Sequence, residues 1–446
     1  MSTMPQANAM PPAGQRFYAP EIQTLSVERL RVLQEERLRR QIGRIFSQPI
    51  PLFRRHLEAA GVKDARELGT LDDLARLPTL NKNDLRASEA EVPPFGDYRG
   101  SAPATWVRIG QTTGSSGRPT LIVWTRRDLE VDYAAASRAR WRWGLRPGMS
   151  FAQAHPYALY AGGWHMSHSL ERMSVLNIPT GPPASEAHMR RAVRLWQRLR
   201  PDMFRLFGNA GVKYYEEAER MGLEPARDLN FHKAGDHPSS QFDAVSAGLE
   251  ALGMLGSQCA EKRGAHLCED LVIVDVVDLQ TGAPVANHRR GKLIVTILEK
   301  DNFLLRYDLE DLVTLNLDPC PCSETHRRLY YDGRVSDAVP VIDPASGRVA
   351  REILPIDAAL VLYEFGELVA PSVEYQIVRP KKPAAELHLR VEYRPERVAD
   401  PTALARAIGE RFRERFAIRA RAEMLPWGTL PRFDYKAARV VGAADD

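Results

Sequence analysis

From residue 26 to 46 the apolar positions Leu30, Val32, Leu33, Leu38, Ile42, Ile45 and Phe46 recur at helical spacing among charged residues, which predicts an amphipathic helix. The pattern resumes over 64–86, is interrupted at Leu77-Pro78, and is expected to close near Lys82 and Asp84. Val92-Pro93-Pro94-Phe95-Gly96 then breaks the chain. Beyond the break, strands are expected at 121–124, 149–153 and 203–207, and helices at 127–143, 184–199 and 240–252. Such alternation implies a layered α/β domain with mainly parallel pairing, whose ligands sit beyond the carboxyl ends of the strands. Turns at Gly208, Gly235 and Gly256 would then face one crevice with the stretch 110–120. From residue 271 short β runs at 271–277, 291–298 and 304–315 suit a small antiparallel or barrel-like subdomain. A small α+β C-terminal domain follows, with strands at 373–378 and 386–393 and a helix at 401–416.

Composition narrows the class. The chain has 446 residues, 44% of them hydrophobic, enough for two or three domains with a large core. Sixty-one basic and 57 acidic side chains leave a diffuse net charge of +4, with no basic block for a nucleic acid. No apolar run is long enough to span a membrane, and the Pro- and Ala-rich residues 1–22 are expected to be disordered. The 4 cysteines lie between Cys259 and Cys322 without a secretory signal ahead of them, so a cytoplasmic protein without a disulfide framework is expected.

Three stretches carry chemistry. Gly110-Gln111-Thr112-Thr113-Gly114-Ser115-Ser116-Gly117-Arg118-Pro119-Thr120 combines turn-forming glycines with hydroxyl donors, as a phosphate-holding loop requires. It is not a Walker loop, since no Gly-Lys-Ser/Thr ends it, and a polar linker is the alternative reading. His155-Pro156-Tyr157-Ala158-Leu159-Tyr160-Ala161-Gly162-Gly163-Trp164-His165 reads as a loop that could wall an aromatic ligand or pack a core. Cys259, His266 and the Cys320-Pro321-Cys322 turn make a closed Cys3His set of the kind zinc prefers in structural sites. Cys268 is spare and His326 is a rival ligand; buried free thiols are the alternative.

Together these motifs resemble the phenylacetate-CoA ligase family of adenylate-forming enzymes, from about residue 77 to 436. Residues 112–119 are similar to its Thr/Ser-Gly phosphate loop, and 157–163 to its aromatic segment before paired glycines. Arg306-Tyr307 with Asp311 resembles its Arg-Tyr-x-x-x-Asp stretch, implying that Asp311 binds the ribose hydroxyls of AMP. Gly333-Arg334-x-x-Asp337 resembles its Gly-Arg-x-x-Asp element, implying ribose or phosphate contact by Arg334 and a hinge at Asp337. Gly428-Thr429-Leu430-Pro431-Arg432 followed by Lys436 resembles its Gly-x-Leu-Pro-Arg ending, whose lysine serves adenylation; without that motif Lys436 would read as a solvated tail lysine. The Cys259, His266, Cys320, Cys322 set is similar to the family's zinc site.

The resemblance implies a large adenylate-forming domain over 23–337, with the zinc-pinned β subdomain inside it, and a small mobile C-terminal domain over 338–446. It implies ATP, giving AMP, together with Mg2+, CoA and structural Zn2+. Thr112, Thr113, Gly114, Ser115, Ser116, Gly117, Gly235, Asp236, Gly256, Ser257, Gln258, Asp311 and Arg334 would face the nucleotide. Tyr157, Tyr160, Gly162, Gly163, Trp164, Phe207, Gly208 and Ala234 would face the acid. The rings imply a flat aryl acid of benzoate, anthranilate or hydroxybenzoate type, with His165, His168 or Asp236 bonding a ring substituent. Transfer to a carrier-protein thiol or an amine, or nucleotide binding without turnover, are the competing functions. A downstream carrier protein or acyltransferase and a homodimer are further expectations. One departure stands out: the family's Tyr-Gly-x-Ser/Thr-Glu turn reads here Leu255-Gly256-Ser257-Gln258, so ring and carboxylate are both absent, with Glu261 as a substitute. Arg118 stands where lysine is common and keeps the charge.

Overall fold

The computed structural model describes residues 10–112, 119–206, 210–231, 244–245, 252–369, 373–431 and 438–442. The chain divides into two compact units. The first comprises Met1–Phe151, His155–Pro179 and Asp243–Tyr331; the second comprises Ala152–Ala154, Thr180–Phe242 and Asp332–Asp446.

In the first unit the helix Val27–Ser47 starts where the Ser26 hydroxyl accepts from the Arg29 amide, and it buries Leu30, Leu38, Ile42 and Ile45 at helical spacing. Lys82 and Asp84 open a helix instead of closing one. Asn81 and Asp84 form a reciprocal capping box at the start of Lys82–Glu91, because Leu77-Pro78 has already ended the preceding turn. Residues 10–22, expected to be disordered, are packed. Trp141 donates its indole N–H to the Gln15 carbonyl at 2.9 Å, and Pro20–Gln23 is a helical turn ahead of Leu25, whose carbonyl accepts from Thr325 at 2.6 Å.

A seven-stranded sheet runs in the order Ala244–Val245, Gly256–Gln258, Ala265–Leu267, Arg328–Arg334, Tyr307–Asn316, Arg290–Ile297, Val272–Val277. Its antiparallel pairs include Gly256–Gln258 with Ala265–Leu267 and Arg290–Ile297 with both Tyr307–Asn316 and Val272–Val277. Two expectations change here. Ala244–Val245 is a strand where a helix over 240–252 was predicted, and Gly256–Gln258 is a sheet strand where a turn was predicted. The cause is pairing: Ala244 lies opposite Ser257, and backbone bonds to a neighbouring strand override a weak helical pattern. Val272, Val274, Leu293, Val295 and Ile297 from the sheet bury against Leu38, Ile42, Phe53, Leu57, Ala135 and Ala139 from three helices.

The helix Arg126–Arg142 carries buried charge into this layer. Asp132 is fully buried and accepts from the Trp124 indole N–H, the Lys300 ammonium and the Gly253 amide, each at 2.9 Å. Asp128 caps its own helix with Thr125 and accepts from the Asn302 side chain at 2.9 Å. Burial pushes the Asp128 carboxyl above its usual range, against the pull of Lys300.

In the second unit a four-stranded sheet runs Arg419–Pro426, Glu386–Tyr393, Tyr375–Arg379, Val440–Gly442. Its outer pairs are parallel and its central pair antiparallel. The helix Pro401–Phe416, capped by Asp400, buries Leu404, Ile408 and Phe412 in the same core as Ile377, Leu387, Leu389 and Val391. No described helix is long and apolar enough to cross a membrane.

Lys300→Met is expected to cost about 3–5 kcal/mol of stability, because it leaves Asp132 buried without its cation. Urea unfolding checks this; a midpoint within error of wild type would contradict it.

Candidate active site and metal centre

The glycine- and hydroxyl-rich stretch joins two antiparallel strands, Trp106–Gln111 and Leu121–Thr125, whose last pair is Gln111 with Leu121. Thr112 closes the base. Its amide donates to the Thr120 carbonyl, and its hydroxyl accepts from the Thr120 amide, both at 3.0 Å. The hydroxyl proton of Thr112 therefore stays available to a ligand. Thr113, Gly114, Ser115, Ser116 and Gly117 lie outside the described residues.

The aromatic segment stands against this base, since the Gln111 amide donates to the Leu159 carbonyl at 3.0 Å. Only part of it is a loop. Ala161–Arg172 is a helix, so Gly162, Gly163, Trp164 and His165 occupy its first turns. Here the glycines serve chain packing: a Cβ at Gly163 would sit 2.2 Å from the Pro156 carbonyl oxygen, and one at Gly162 would sit 2.4 Å from the Tyr160 ring. The rings do gather. Tyr157 meets Trp164 edge-on at 5.1 Å and shares a 2.6 Å hydrogen bond with Ser167. Trp164 donates to the Ala158 carbonyl at 2.9 Å, stacks on His168 at 6.1 Å and carries the Arg108 guanidinium over its face at 5.6 Å. Tyr133 completes the cluster at 5.3 Å from His168 and 6.0 Å from His165.

Asp311 is placed by a bulge. Between the pairs Lys292–Leu312 and Ile294–Asp308 one strand carries a single residue and the other three, and Glu310 takes a positive φ of 59°. Asp311 is buried there, accepting from the Tyr331 hydroxyl at 3.0 Å. Arg306, two residues before Asp308, pairs with Asp275 at 2.9 Å. In the second unit Arg334 ends the strand Arg328–Arg334, half-buried, and Asp337 closes the following turn Val335–Asp337; the Arg379 side chain donates to the Ser336 carbonyl within that turn.

The predicted metal ligands converge. One ligand atom from each of Cys259, His266, Cys320 and Cys322 lies within 4.8 Å of all the others. The Cys259 and Cys320 sulfurs are 3.8 Å apart, and the Cys322 sulfur is 3.3 Å from His266 Nε2. Tetrahedral zinc with bonds near 2.3 Å sets sulfur atoms about 3.8 Å apart, so the donor set fits. His266 Nδ1 faces the His326 carbonyl at 3.2 Å, which fixes the proton there and turns the Nε2 lone pair to the thiols. His326 is no ligand: its nitrogens face the Leu267 carbonyl at 2.9 Å and the Ile22 carbonyl at 3.1 Å. Cys268 is buried away from the set, beside Arg138, and burial raises its pKa.

Comparison with known proteins decides the family. A phenylacetate-coenzyme A ligase of Thermus thermophilus is 30% identical over 93% of this chain and 97% of its own length. One from Escherichia coli is 25% identical over 94% of this chain and 96% of its own. Residues 352–443 match the family model of the AMP-binding enzyme C-terminal domain. A 2-hydroxyisobutyryl-CoA ligase solved with its acyl-adenylate superposes with a TM-score of 0.85 at 25% identity, over 98% of this chain and 94% of that one. An anthranilate CoA ligase shares the fold, with a TM-score of 0.53 at 13% identity over 79% of this chain and 70% of that one. The chain belongs to the phenylacetate-CoA ligase family of adenylate-forming enzymes.

Gly256 and Ser257 lie on the sheet strand Gly256–Gln258. The Ser257 hydroxyl is buried and accepts from Arg142 at 3.1 Å, and a Cβ at Gly256 would lie 2.4 Å from the His266 carbonyl oxygen. Glu261 is exposed on the turn that presents Cys259. Phe207, Gly208, Ala234, Gly235, Asp236 and Lys436 lie outside the described residues. Sequence reasoning missed Arg108, which it assigned to no element, and Tyr133 and Asp132, which it read only as positions in the expected helix 127–143. The spacing of Trp124 and Asp132, eight residues apart across a Thr125-x-x-Asp128 cap, was the available signal.

His165 lies at the junction of ring cluster and buried charges. Its ring is 5.8 Å from Trp124, and its Nε2 is 3.5 Å from Asp132. Burial holds its pKa down at about 4, against Asp132, with Lys300, Arg108 and Arg140 adding to the depression. The unfolded state therefore binds a proton that the folded state refuses between pH 6.5 and about 4, and stability falls as pH drops through that window. Between pH 7 and pH 5 this site should cost about 2 kcal/mol. Urea unfolding of wild type and His165→Gln at both pH values checks this; equal losses in the two proteins would contradict it.

Proposed function

We propose that this adenylate-forming acyl-CoA ligase activates an aromatic carboxylic acid of benzoate, anthranilate or hydroxybenzoate type and transfers it to CoA. The observation that supports the aryl reading is the cluster of Tyr133, Tyr157, Trp164 and His168 held against the base of the phosphate loop. Flat rings recognise a flat acid through area and edge-to-face contact. His165 and His168 supply imidazole nitrogens for a ring amino or hydroxyl group.

In the first half-reaction a carboxylate oxygen bonds to the α-phosphorus of ATP, and the bond to the pyrophosphate oxygen breaks. Thr112 and the hydroxyls and amides of 113–117 take the charge of the leaving pyrophosphate, and Lys436 takes the charge between carboxylate and α-phosphate. Asp311 accepts from the ribose hydroxyls, and Arg334 contacts ribose or phosphate. In the second half-reaction the CoA sulfur bonds to the acyl carbon and AMP leaves, with the C-terminal domain turning about Asp337 to withdraw Lys436. Gln258 supplies no carboxylate, and Mg2+ bound with ATP would supply charge neutralisation on the phosphates. Zinc on Cys259, His266, Cys320 and Cys322 is structural, because four protein ligands leave no open position. The chemistry belongs to a cytoplasmic enzyme.

Gln258 favours one second reading, nucleotide binding without turnover. Pyrophosphate release with benzoate, anthranilate, 4-hydroxybenzoate, phenylacetate and 2-hydroxyisobutyrate separates the two. Release with an aryl acid, followed by an aryl-CoA mass when CoA is added, is the expected result. Release only with 2-hydroxyisobutyrate would overturn the aryl assignment, and an amide or carrier-bound product the CoA assignment. ATP binding with no release would favour the second reading.

Lys436→Ala should lower adenylation by about 10²-fold or more while leaving thioester formation from supplied aryl-adenylate largely intact. Equal losses in both halves would sink its role. Purified protein should hold one zinc per chain, and Cys320→Ser should lower both metal content and melting temperature; protein that unfolds identically with and without bound zinc would contradict a structural metal.

A further inference from the structure

We propose that the Cys259, His266, Cys320 and Cys322 centre orders the N-terminal segment 10–25: bound metal fixes the turn 320–326, and that turn holds the segment in place. The inference rests on the structural-metal reading given above and adds to it the part of the chain that the metal controls. The turn lies in the connection between the strands Tyr307–Asn316 and Arg328–Arg334, and Cys320 and Cys322 bring two thiols from it to the metal set. Between those ligands the Pro321 carbonyl accepts from the Arg16 side chain at 3.3 Å. Two residues beyond Cys322, Glu324 meets Arg142 through both oxygens, and its amide donates to the Cys322 sulfur at 3.4 Å. Thr325 then grips the segment directly. Its amide donates to the Gln23 carbonyl at 3.1 Å, and its hydroxyl donates to the Leu25 carbonyl at 2.6 Å. The next residue, His326, sets Nε2 against the Ile22 carbonyl at 3.1 Å.

The segment cannot order itself. Its helical turn Pro20–Gln23 has 4 residues, far below the roughly 12–15 at which a helix becomes marginal on its own in water. Gln23 is 1% exposed and accepts from the Ala19 amide at 2.9 Å, so the turn is folded against the protein and not into solvent. The earlier half of the segment is held at the end of the helix Arg126–Arg142. Trp141 donates to the Gln15 carbonyl at 2.9 Å and meets the Tyr18 ring edge-on at 5.8 Å, and Arg146 donates to the Ala13 carbonyl at 3.0 Å. That helix end is itself paired to the turn through Arg142 and Glu324, so both holds converge on 320–326. A metal that binds the ordered turn and not its open form stabilises the ordered form by mass action. The segment, whose carbonyls rest on the turn, shares that stability.

Hydrogen exchange of the full chain tests this, read by mass spectrometry on peptides covering 10–25, 27–47 and 272–297, with zinc content measured alongside. The protein is examined as purified, after zinc is stripped with dipicolinate, and after Zn2+ is restored. Exchange over 10–25 should rise about tenfold or more on stripping and return on restoring, while 27–47 and 272–297 change by less than about twofold. Protection over 10–25 that survives zinc removal would overturn the inference alone and leave the metal reading standing. Protein purified without zinc that still protects 10–25 would overturn both. Where the stripped protein fails to stay folded, Thr325→Val carries the test, since it removes the hydroxyl donor to Leu25 and touches no metal ligand. That variant should keep the zinc content of wild type and exchange faster over 10–25. Exchange at the wild-type rate, or an equal rise across 27–47, would overturn the inference.

Discussion

The Asp132 carboxylate is the constraint on which the first unit depends. It gathers the Trp124 indole, the Lys300 ammonium and the Gly253 amide, each at 2.9 Å. Those partners come from the strand Leu121–Thr125, the stretch before Asn302 and the approach to the strand Gly256–Gln258. A buried charge with three partners is tolerated, and one stripped of a partner is costly, so the four segments are coupled in position. His165 lies against the same carboxylate, 3.5 Å away, and burial holds its pKa down at about 4.

Much of this was legible in the sequence where local chemistry decides structure. The helix Pro401–Phe416 and the strand Glu386–Tyr393 follow from period alone, since each has one face against a core. The Cys3His set followed from ligand chemistry, and its four donor atoms lie within 4.8 Å of one another. Long-range pairing was not legible. Nothing local in residues 244–258 announces an antiparallel edge, so a helix was expected where Ala244–Val245 is a strand and a turn where Gly256–Gln258 is one. The close packing at the paired glycines was not legible either: a Cβ at Gly162 would meet the Tyr160 ring and one at Gly163 the Pro156 carbonyl.

Buried acids elsewhere in the molecule are also matched to donors. Asp132 and Asp270 meet cations, Asp270 meeting Arg138 through both oxygens. The Glu392 carboxylate accepts from the Gly428 and Leu430 amides. A buried acid held by several donors fixes the segments that supply them.

The central claim is that this chain makes an aryl-adenylate. The most direct measurement is mass spectrometry of the enzyme-bound product after incubation with ATP, magnesium and an aryl acid, with CoA omitted. An aryl-AMP mass that appears with benzoate-type acids and not with an aliphatic acid is the predicted result. ATP recovered unchanged with every aryl acid, from protein that binds ATP, would contradict it.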